Sequence, residues 1–201
     1  MLEIPADFPS ELVPLSWLVG SWKGSGWVSY ATEEGTLDDS AREYEFSQDV
    51  SFTVESSSVL RYNAIFHRLS DDSPVTSETG YWRIARPAHS FDAGPGLIAG
   101  VGSSPFTTAE SVEGLRNDAG SFDIEAVIAH PDGIAELYLG RVDGPRIDLV
   151  TDAVLRPENA RDYRAATRMF GLVEGHLLWA WDAAALGVSL RSMASARLAR
   201  V

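Results

Sequence analysis

The stretch "GSWKGSGW", residues 20–27, combines three glycines and two tryptophans in eight positions. If it forms a strand, Trp22, Gly24 and Gly26 share one face, because side chains alternate along a strand. Glycines inside a strand permit a sharp bend, or the close approach of a ligand or of a neighbouring backbone. We expect Trp22 to plug one end of a closed sheet and the two glycines to provide curvature and room.

Apolar and polar side chains alternate along most of the remaining chain. Within residues 42–55, for example, Tyr44, Phe46 and Phe52 share one parity, whereas the other parity is largely acidic. This period of two is typical of half-buried strands, and turn sequences such as "HPDG" and "VDGP" separate several of them. We predict ten strands, at residues 20–31, 42–55, 58–70, 76–86, 122–130, 133–142, 145–155, 163–174, 176–185 and 189–200. Many strands joined by short turns indicate an all-β antiparallel barrel or sandwich.

Two segments depart from this pattern. Apolar residues recur at helical spacing from Phe8 to Val19, although Pro14 should limit any helix there to short pieces. Residues 88–121 are rich in glycine, serine and alanine, and they predict a long loop or insertion. Loops of such length are usually functional or mobile.

The composition excludes several classes of protein. The 201 residues suit one domain, and the formal net charge of −13 disfavours nucleic acid and anionic membranes as partners. The chain has no cysteine, which excludes disulfides, thiolate metal sites and thiol nucleophiles. The N-terminal residues lack the pattern of a secretion signal, and no stretch approaches the roughly 20 apolar residues of a membrane helix. We therefore expect a cytoplasmic protein.

Four ordered blocks of sequence resemble one family. They are the pattern Gly-x-Trp-x-Gly-x-Gly at Gly20, Trp22, Gly24 and Gly26, "SETGYWRIARP" at 77–87, "AHPDGIAELYLG" at 129–140 and "LRSMASARLAR" at 190–200. Together they resemble the nitrobindins, haem barrels similar to fatty-acid-binding proteins and lipocalins. The resemblance implies a ten-stranded antiparallel β-barrel with a short N-terminal helical segment, with residues 88–121 as an insertion. It also implies ferric haem b, isomerisation of peroxynitrite to nitrate and reversible binding of nitric oxide.

The chain departs from the family at the iron ligand. The resemblance places one proximal histidine on the last strand, in the pattern Leu-x-x-His, and "LRSMASARL" places Met193 there. No histidine follows His176, so a shifted alignment does not restore the ligand. A thioether is softer than imidazole and favours reduced iron, so Met193 is either a weak ligand or an apolar filler. We expect Met193 to be an apolar filler of the pocket, and therefore we expect no bound cofactor. Haem b is implied only by the resemblance.

The four histidines of the chain are scattered and do not form a metal-binding pattern. His130 shares parity with Phe122, Ile124 and Ile128. It either lines a pocket and donates to a ligand, or it bonds within its own turn. We expect the turn.

Three functions are compatible with the sequence, and no catalytic residue is predicted. The first, which we expect, is binding of a small apolar or amphipathic ligand without iron ligation. The second is a ferric haem b-binding peroxynitrite isomerase with Met193, His130 or a water on the iron, and the third is a scaffold that contacts another protein through residues 88–121. Candidate pocket residues are Tyr30, Phe46, Phe52, Trp82, His130 and Trp179. A closed barrel has no strand edges, so the oligomeric state stays open.

Overall fold

Ten antiparallel strands close into a barrel in the computed structural model, which describes residue 5 and residues 7–30 and 42–201. Each strand pairs with the next along the chain, and β1 pairs with β10. The strands are β1 Gly20–Ser29, β2 Glu43–Ser56, β3 Val59–Arg68, β4 Pro74–Ile84, β5 Phe122–Ala129, β6 Ala135–Asp143, β7 Arg146–Leu155, β8 Tyr163–Val173, β9 His176–Ala185 and β10 Arg191–Arg200. The predicted ten-stranded barrel is confirmed. Each predicted strand begins and ends within two residues of the observed strand. The predicted end of the first strand, residue 31, lies outside the described residues.

The glycines of the opening motif allow β1 and β10 to approach each other closely. Gly24 pairs with Leu198 and Gly26 with Ala196. A Cβ atom on Gly24 would overlap the carbonyl oxygen of Arg197, and one on Gly26 would lie 2.5 Å from the ring of Phe46. Neither glycine lines the cavity of the barrel. The room that they provide is thus taken by the neighbouring strand and by Phe46, not by a ligand.

A 3-10 helix, Ser10–Leu18, covers one end of the barrel. Leu12, Leu15 and Leu18 of this helix are fully buried. Trp22 is 1 % exposed, and its indole N–H donates to the carbonyl of Leu18 at 2.7 Å. Contrary to expectation, the helix continues through Pro14. A 3-10 helix is built from single tight turns, and the loss of one N–H donor does not end it.

Aromatic rings fill the interior beneath this helix. Trp82 lies edge-on to Phe52 and to Phe170, with ring centroids 5.3 and 5.2 Å apart, and Tyr62 lies beside both Phe52 and Trp82. Phe52 and Trp82 have no exposed surface. This half of the barrel is therefore a packed core, and any ligand must enter from the other end.

The segment 88–121 is mostly irregular but contains one short helix, α1, Ala109–Glu113. Its N-cap is Thr108, whose side chain accepts a hydrogen bond from the backbone N–H of Ser111. The sequence analysis did not predict this helix, because a single turn gives too few residues for a periodic pattern.

The beginning of that segment is fastened to the 3-10 helix by ion pairs. Arg86 contacts Glu11 and Asp92 at 2.7 Å each, and the side chains of Arg86 and Glu11 are buried. Arg86 also lies over the rings of Phe91 and Phe106. The start of the segment is therefore a fixed part of the barrel's closed end.

Gly24→Val should destabilise the protein by about 2–4 kcal/mol, because the added side chain collides with the backbone of β10. The matched control is Gly171→Ala in β8, where the nearest atom to the added methyl lies at 3.8 Å. We expect the control to change stability by less than about 1 kcal/mol. Urea unfolding of both variants measures the difference. Equal effects would show that close approach of β1 and β10 does not require glycine.

Candidate functional site

The open half of the barrel encloses a cavity of about 440 Å³ that opens to solvent. Its volume falls within the range of pockets for small organic ligands. Among the described residues, seven aromatic side chains contribute to the wall, namely Tyr30, Tyr44, Phe46, Phe66, Tyr163, Trp179 and Trp181. Phe46 stacks on Trp179 with centroids 5.9 Å apart, and Trp181 stacks on Tyr163 at 6.2 Å. The walls thus present flat apolar surfaces to a ligand.

The floor of the cavity contains a buried ion pair between strands β4 and β8. Arg168 donates from both terminal nitrogens to the two carboxylate oxygens of Glu78, each at 2.8 Å. Tyr62 also donates to Glu78 at 2.7 Å, and Arg168 donates through Nε to Tyr138 at 3.0 Å. Arg168 is 6 % exposed and Glu78 is 8 % exposed. Planar two-point pairing of this kind fixes both side chains strongly.

A second carboxylate, Glu136 of β6, lies behind the floor and is 1 % exposed. It accepts hydrogen bonds from Tyr138 at 2.5 Å and from Tyr163, and His130 Nε2 lies 2.8 Å from it. Arg168 Nη2 is 3.5 Å from the same carboxylate. The two glutamates, Arg168 and His130 therefore form one connected network.

The network shifts the pKa of each acidic member downward. Burial raises the pKa of Glu78, but the charge and hydrogen bonds of Arg168 outweigh burial and bring that pKa to about 2. Burial likewise opposes ionisation of Glu136, yet the hydrogen bond from His130 and the charge of Arg168 lower its pKa. Both carboxylates are ionised at neutral pH.

The pKa of His130 shifts upward. Burial disfavours its charge, but the hydrogen bond to Glu136 and the charge of Glu78 raise its pKa above the ordinary 6.5. Once His130 is protonated, the network holds two carboxylates and two cations, so its net charge is zero. The phenol groups stay protonated, since burial raises the pKa of Tyr30 to about 12 and also raises that of Tyr163.

The structure brings together four of the six candidate pocket residues. Tyr30, Phe46, His130 and Trp179 line the cavity. Phe52 and Trp82 lie outside it, in the packed core, because the 3-10 helix covers their end of the barrel. His130 lines the cavity and bonds Glu136 through its ring, and its backbone N–H bonds within the turn to Ile134.

Met193 lies at a bulge in β10 and is 2 % exposed. It belongs to the buried core, whereas its neighbour Ala194 lines the cavity. Because the bulge breaks the alternation after Met193, Arg197 is exposed despite sharing parity with Met193. Arg191 is also exposed, at the first position of β10. Sequence parity alone could not reveal this displacement.

The charged residues of the floor are absent from the site residues predicted from sequence. Glu78, Glu136 and Arg168 each occupy an inward position. The burial of Trp82, four residues after Glu78, and of Tyr138 and Phe170, each two residues further along, shows this. A charged residue at a position of apolar parity is the signal that could have identified them. Nothing in the sequence, however, indicates that these three side chains meet.

The described residues, 5, 7–30 and 42–201, contain neither a cluster of metal-ligating side chains nor a membrane-spanning helix. No group of three or more His, Cys, Asp or Glu side chains there is arranged to hold a metal ion. No helix in the same part of the chain has the length and apolar character to cross a bilayer.

A closed antiparallel barrel with an aromatic cavity open to solvent belongs to the class of barrels that bind small ligands. A sequence model of the THAP4-like, heme-binding beta-barrel domain matches residues 11–200. The chain therefore belongs to that family, the nitrobindins.

Relatives match along the whole chain. A protein of Leifsonia xyli subsp. xyli named peroxynitrite isomerase is 54 % identical, over 100 % of this chain and 99 % of its own. One of Clavibacter michiganensis subsp. michiganensis with the same name is 51 % identical, over 100 % of both. The crystal structure of Rv2717c from M. tuberculosis superimposes with a TM-score of 0.68 at 26 % identity, covering 96 % of this chain and 98 % of that one.

The family implies haem b, and the cavity fits it in part. Aromatic walls suit a flat macrocycle, and the exposed Arg161 at the cavity lining suits a haem carboxylate. The donor set does not fit an imidazole-ligated iron. His130, the histidine in the lining, bonds Glu136 through Nε2, and the neighbouring carboxylates raise its pKa, which favours the protonated ring over the neutral form that binds iron. Met193 is outside the lining, so none of these residues is assigned to iron.

Arg168→Met should cost about 3–5 kcal/mol of stability, because it leaves two buried carboxylates without their main cation. The deficit should shrink as the pH falls and the carboxylates take up protons. Arg164→Met is the control, on the same strand, with a half-exposed side chain paired to Asp162 at 3.3 Å. It should cost less than about 1 kcal/mol. Urea unfolding at two pH values tests this, and a pH-independent deficit would contradict the electrostatic cause.

His130→Gln should change how stability depends on pH. In the wild type, the raised pKa of His130 stabilises the fold fully below about pH 6.5, and that contribution is lost as the pH rises through the folded-state value. The variant lacks this contribution, so the difference in the free energy of unfolding between wild type and variant should decrease as the pH rises above about 6.5. Unfolding curves across this range measure it, with His89→Gln in the exposed loop as control. A constant difference would show that His130 holds no extra proton.

Proposed function

We propose that this protein binds haem b in the cavity and that the haem-bound protein isomerises peroxynitrite. The observation that carries the proposal is the aromatic cavity in a chain that matches a heme-binding family over residues 11–200. The name of the relatives at 51–54 % identity, peroxynitrite isomerase, supports the reaction. When bound, haem would supply the redox-active iron.

This chain's own residues would contribute binding and orientation. Phe46 and Trp179 offer a stacked wall on one side of the cavity, and Tyr30 with Trp181 forms an edge-to-face pair in the same lining. Arg161 would draw a carboxylate to the lining, whereas Glu78 at the floor would repel one. The macrocycle should thus enter with its apolar edge toward the floor.

A second candidate is binding of a small apolar or amphipathic ligand without an iron bond. The specific observation in its favour is the donor set, because His130 is engaged by Glu136 and Met193 lies outside the lining. Under this alternative the affinity comes from the walls alone. A metal-free porphyrin would then bind as tightly as ferric haem.

Ala194→Trp should weaken haem binding at least about tenfold, since the added ring occupies the cavity that Ala194 lines. Ser195→Trp is the matched control, because Ser195 is the next residue and is exposed. Titration of each protein with ferric haem, followed by its Soret absorption, measures the effect. Failure of the wild type to show saturable one-to-one binding would reject the haem proposal.

Ferric haem and metal-free protoporphyrin IX separate the two candidates. We expect weak haem binding by the wild type. Ala194→His, which places an imidazole in the cavity lining, should bind haem markedly more tightly but metal-free porphyrin no more tightly, with the exposed Ser195→His as control. Mixing peroxynitrite with the haem-loaded proteins and with free haem then tests the reaction through its decay rate and nitrate yield. Equal affinities of the wild type for haem and porphyrin, without faster decay, would favour the second candidate. Tighter binding of haem together with faster decay would favour the first.

A further inference from the structure

The cavity floor presents a donor and an acceptor that face each other without bonding. His130 Nδ1 lies 3.9 Å from Glu78 Oε1, which exceeds hydrogen-bond length. Both side chains line the cavity. The other nitrogen of His130 is engaged by Glu136, and among the described residues Nδ1 has no partner within hydrogen-bond distance. This gap between Nδ1 and Oε1 is a polar subsite at the base of a pocket that is rich in aromatic side chains.

The width of the gap suits a single oxygen atom. An oxygen placed about 2.8 Å from each of the two atoms spans 3.9 Å with an angle of about 90° at the oxygen. A hydroxyl group satisfies both neighbours at once, since it accepts from Nδ1–H and donates to Oε1. An ether oxygen or a carbonyl oxygen would satisfy only the histidine. A ligand hydroxyl that makes both hydrogen bonds can replace a water molecule in the gap without any loss of hydrogen bonding.

The charges around the gap favour a neutral group. Glu78 and Glu136 balance Arg168 and protonated His130 at the floor, while Asp132, Asp162 and Arg161 complete the charged part of the lining. A carboxylate in the gap would lie against Glu78, and an ammonium would lie against His130. Either would leave a buried net charge, which is costly in the absence of a partner.

We propose that the cavity recognises a neutral ring compound that carries a hydroxyl group, with the hydroxyl placed between His130 and Glu78. The ring of the ligand packs on the aromatic wall that includes Phe46 and Trp179. This selectivity requires no iron and goes beyond the proposed haem function. Its test contains no haem, so either proposal can fail alone.

Three probes of similar size distinguish the alternatives: 2-naphthol, 2-methoxynaphthalene and 2-naphthoate. The hydroxyl of 2-naphthol both accepts and donates a hydrogen bond, whereas the ether oxygen of 2-methoxynaphthalene only accepts one. The carboxylate of 2-naphthoate carries a negative charge. Quenching of tryptophan fluorescence by each probe gives its Kd for the wild-type protein. We expect 2-naphthol to bind at least about tenfold more tightly than either of the others, as one additional charge-assisted hydrogen bond would give.

His130→Phe should abolish the preference for 2-naphthol over 2-methoxynaphthalene. His67→Phe, a substitution outside the cavity lining, should retain it. The comparison of probes on the wild type needs no variant, so it decides the matter even if His130→Phe does not fold. Equal affinities would overturn the proposal because the pocket would then select apolar shape alone. Tightest binding of 2-naphthoate, or binding of none of the three, would also overturn it.

Discussion

The ion pair between Arg168 and Glu78 divides the interior of this barrel into two halves. On one side, Tyr62 connects the pair to the aromatic core around Phe52 and Trp82. On the other side, the same two charged side chains form the floor of the cavity. Charged groups are buried in proteins only where partners compensate them, so neither half can change independently of the pair. The position of the pocket follows from this constraint.

The same network explains why His130 differs from a free imidazole. A ring nitrogen that binds iron must lack its proton, whereas Glu136 and Glu78 both favour the protonated ring. In its protonated form, His130 serves as a hydrogen-bond donor and has no lone pair for a metal. Membership of a heme-binding family and a cavity floor built from buried charged groups thus coexist in one chain. The family sets the shape of the cavity, and the chain's own charges determine what its floor can contact.

The architecture was largely predictable, and the site only in part. Alternation gave all ten strands, because each strand has one face toward the core and one toward solvent. It also placed Tyr30, Phe46 and Trp179 on inward faces, but it could not separate these from Phe52 and Trp82. Parity along a strand reports the direction of a side chain, not its height along the barrel axis. Height depends on which end the 3-10 helix covers, and that is a long-range contact.

The sequence by itself determined the period of two, the glycines that let β1 and β10 meet, and the absence of a histidine after His176. These features are local, so neighbouring residues are sufficient to reveal them. Only the tertiary structure decided that Glu78, Glu136, Arg168 and His130 form one network, since they come from four separate places in the chain. It also decided that the bulge puts Met193 into the core and Ala194 into the cavity lining. The reason is physical: strand pairing sets register, and register sets which distant side chains share the interior.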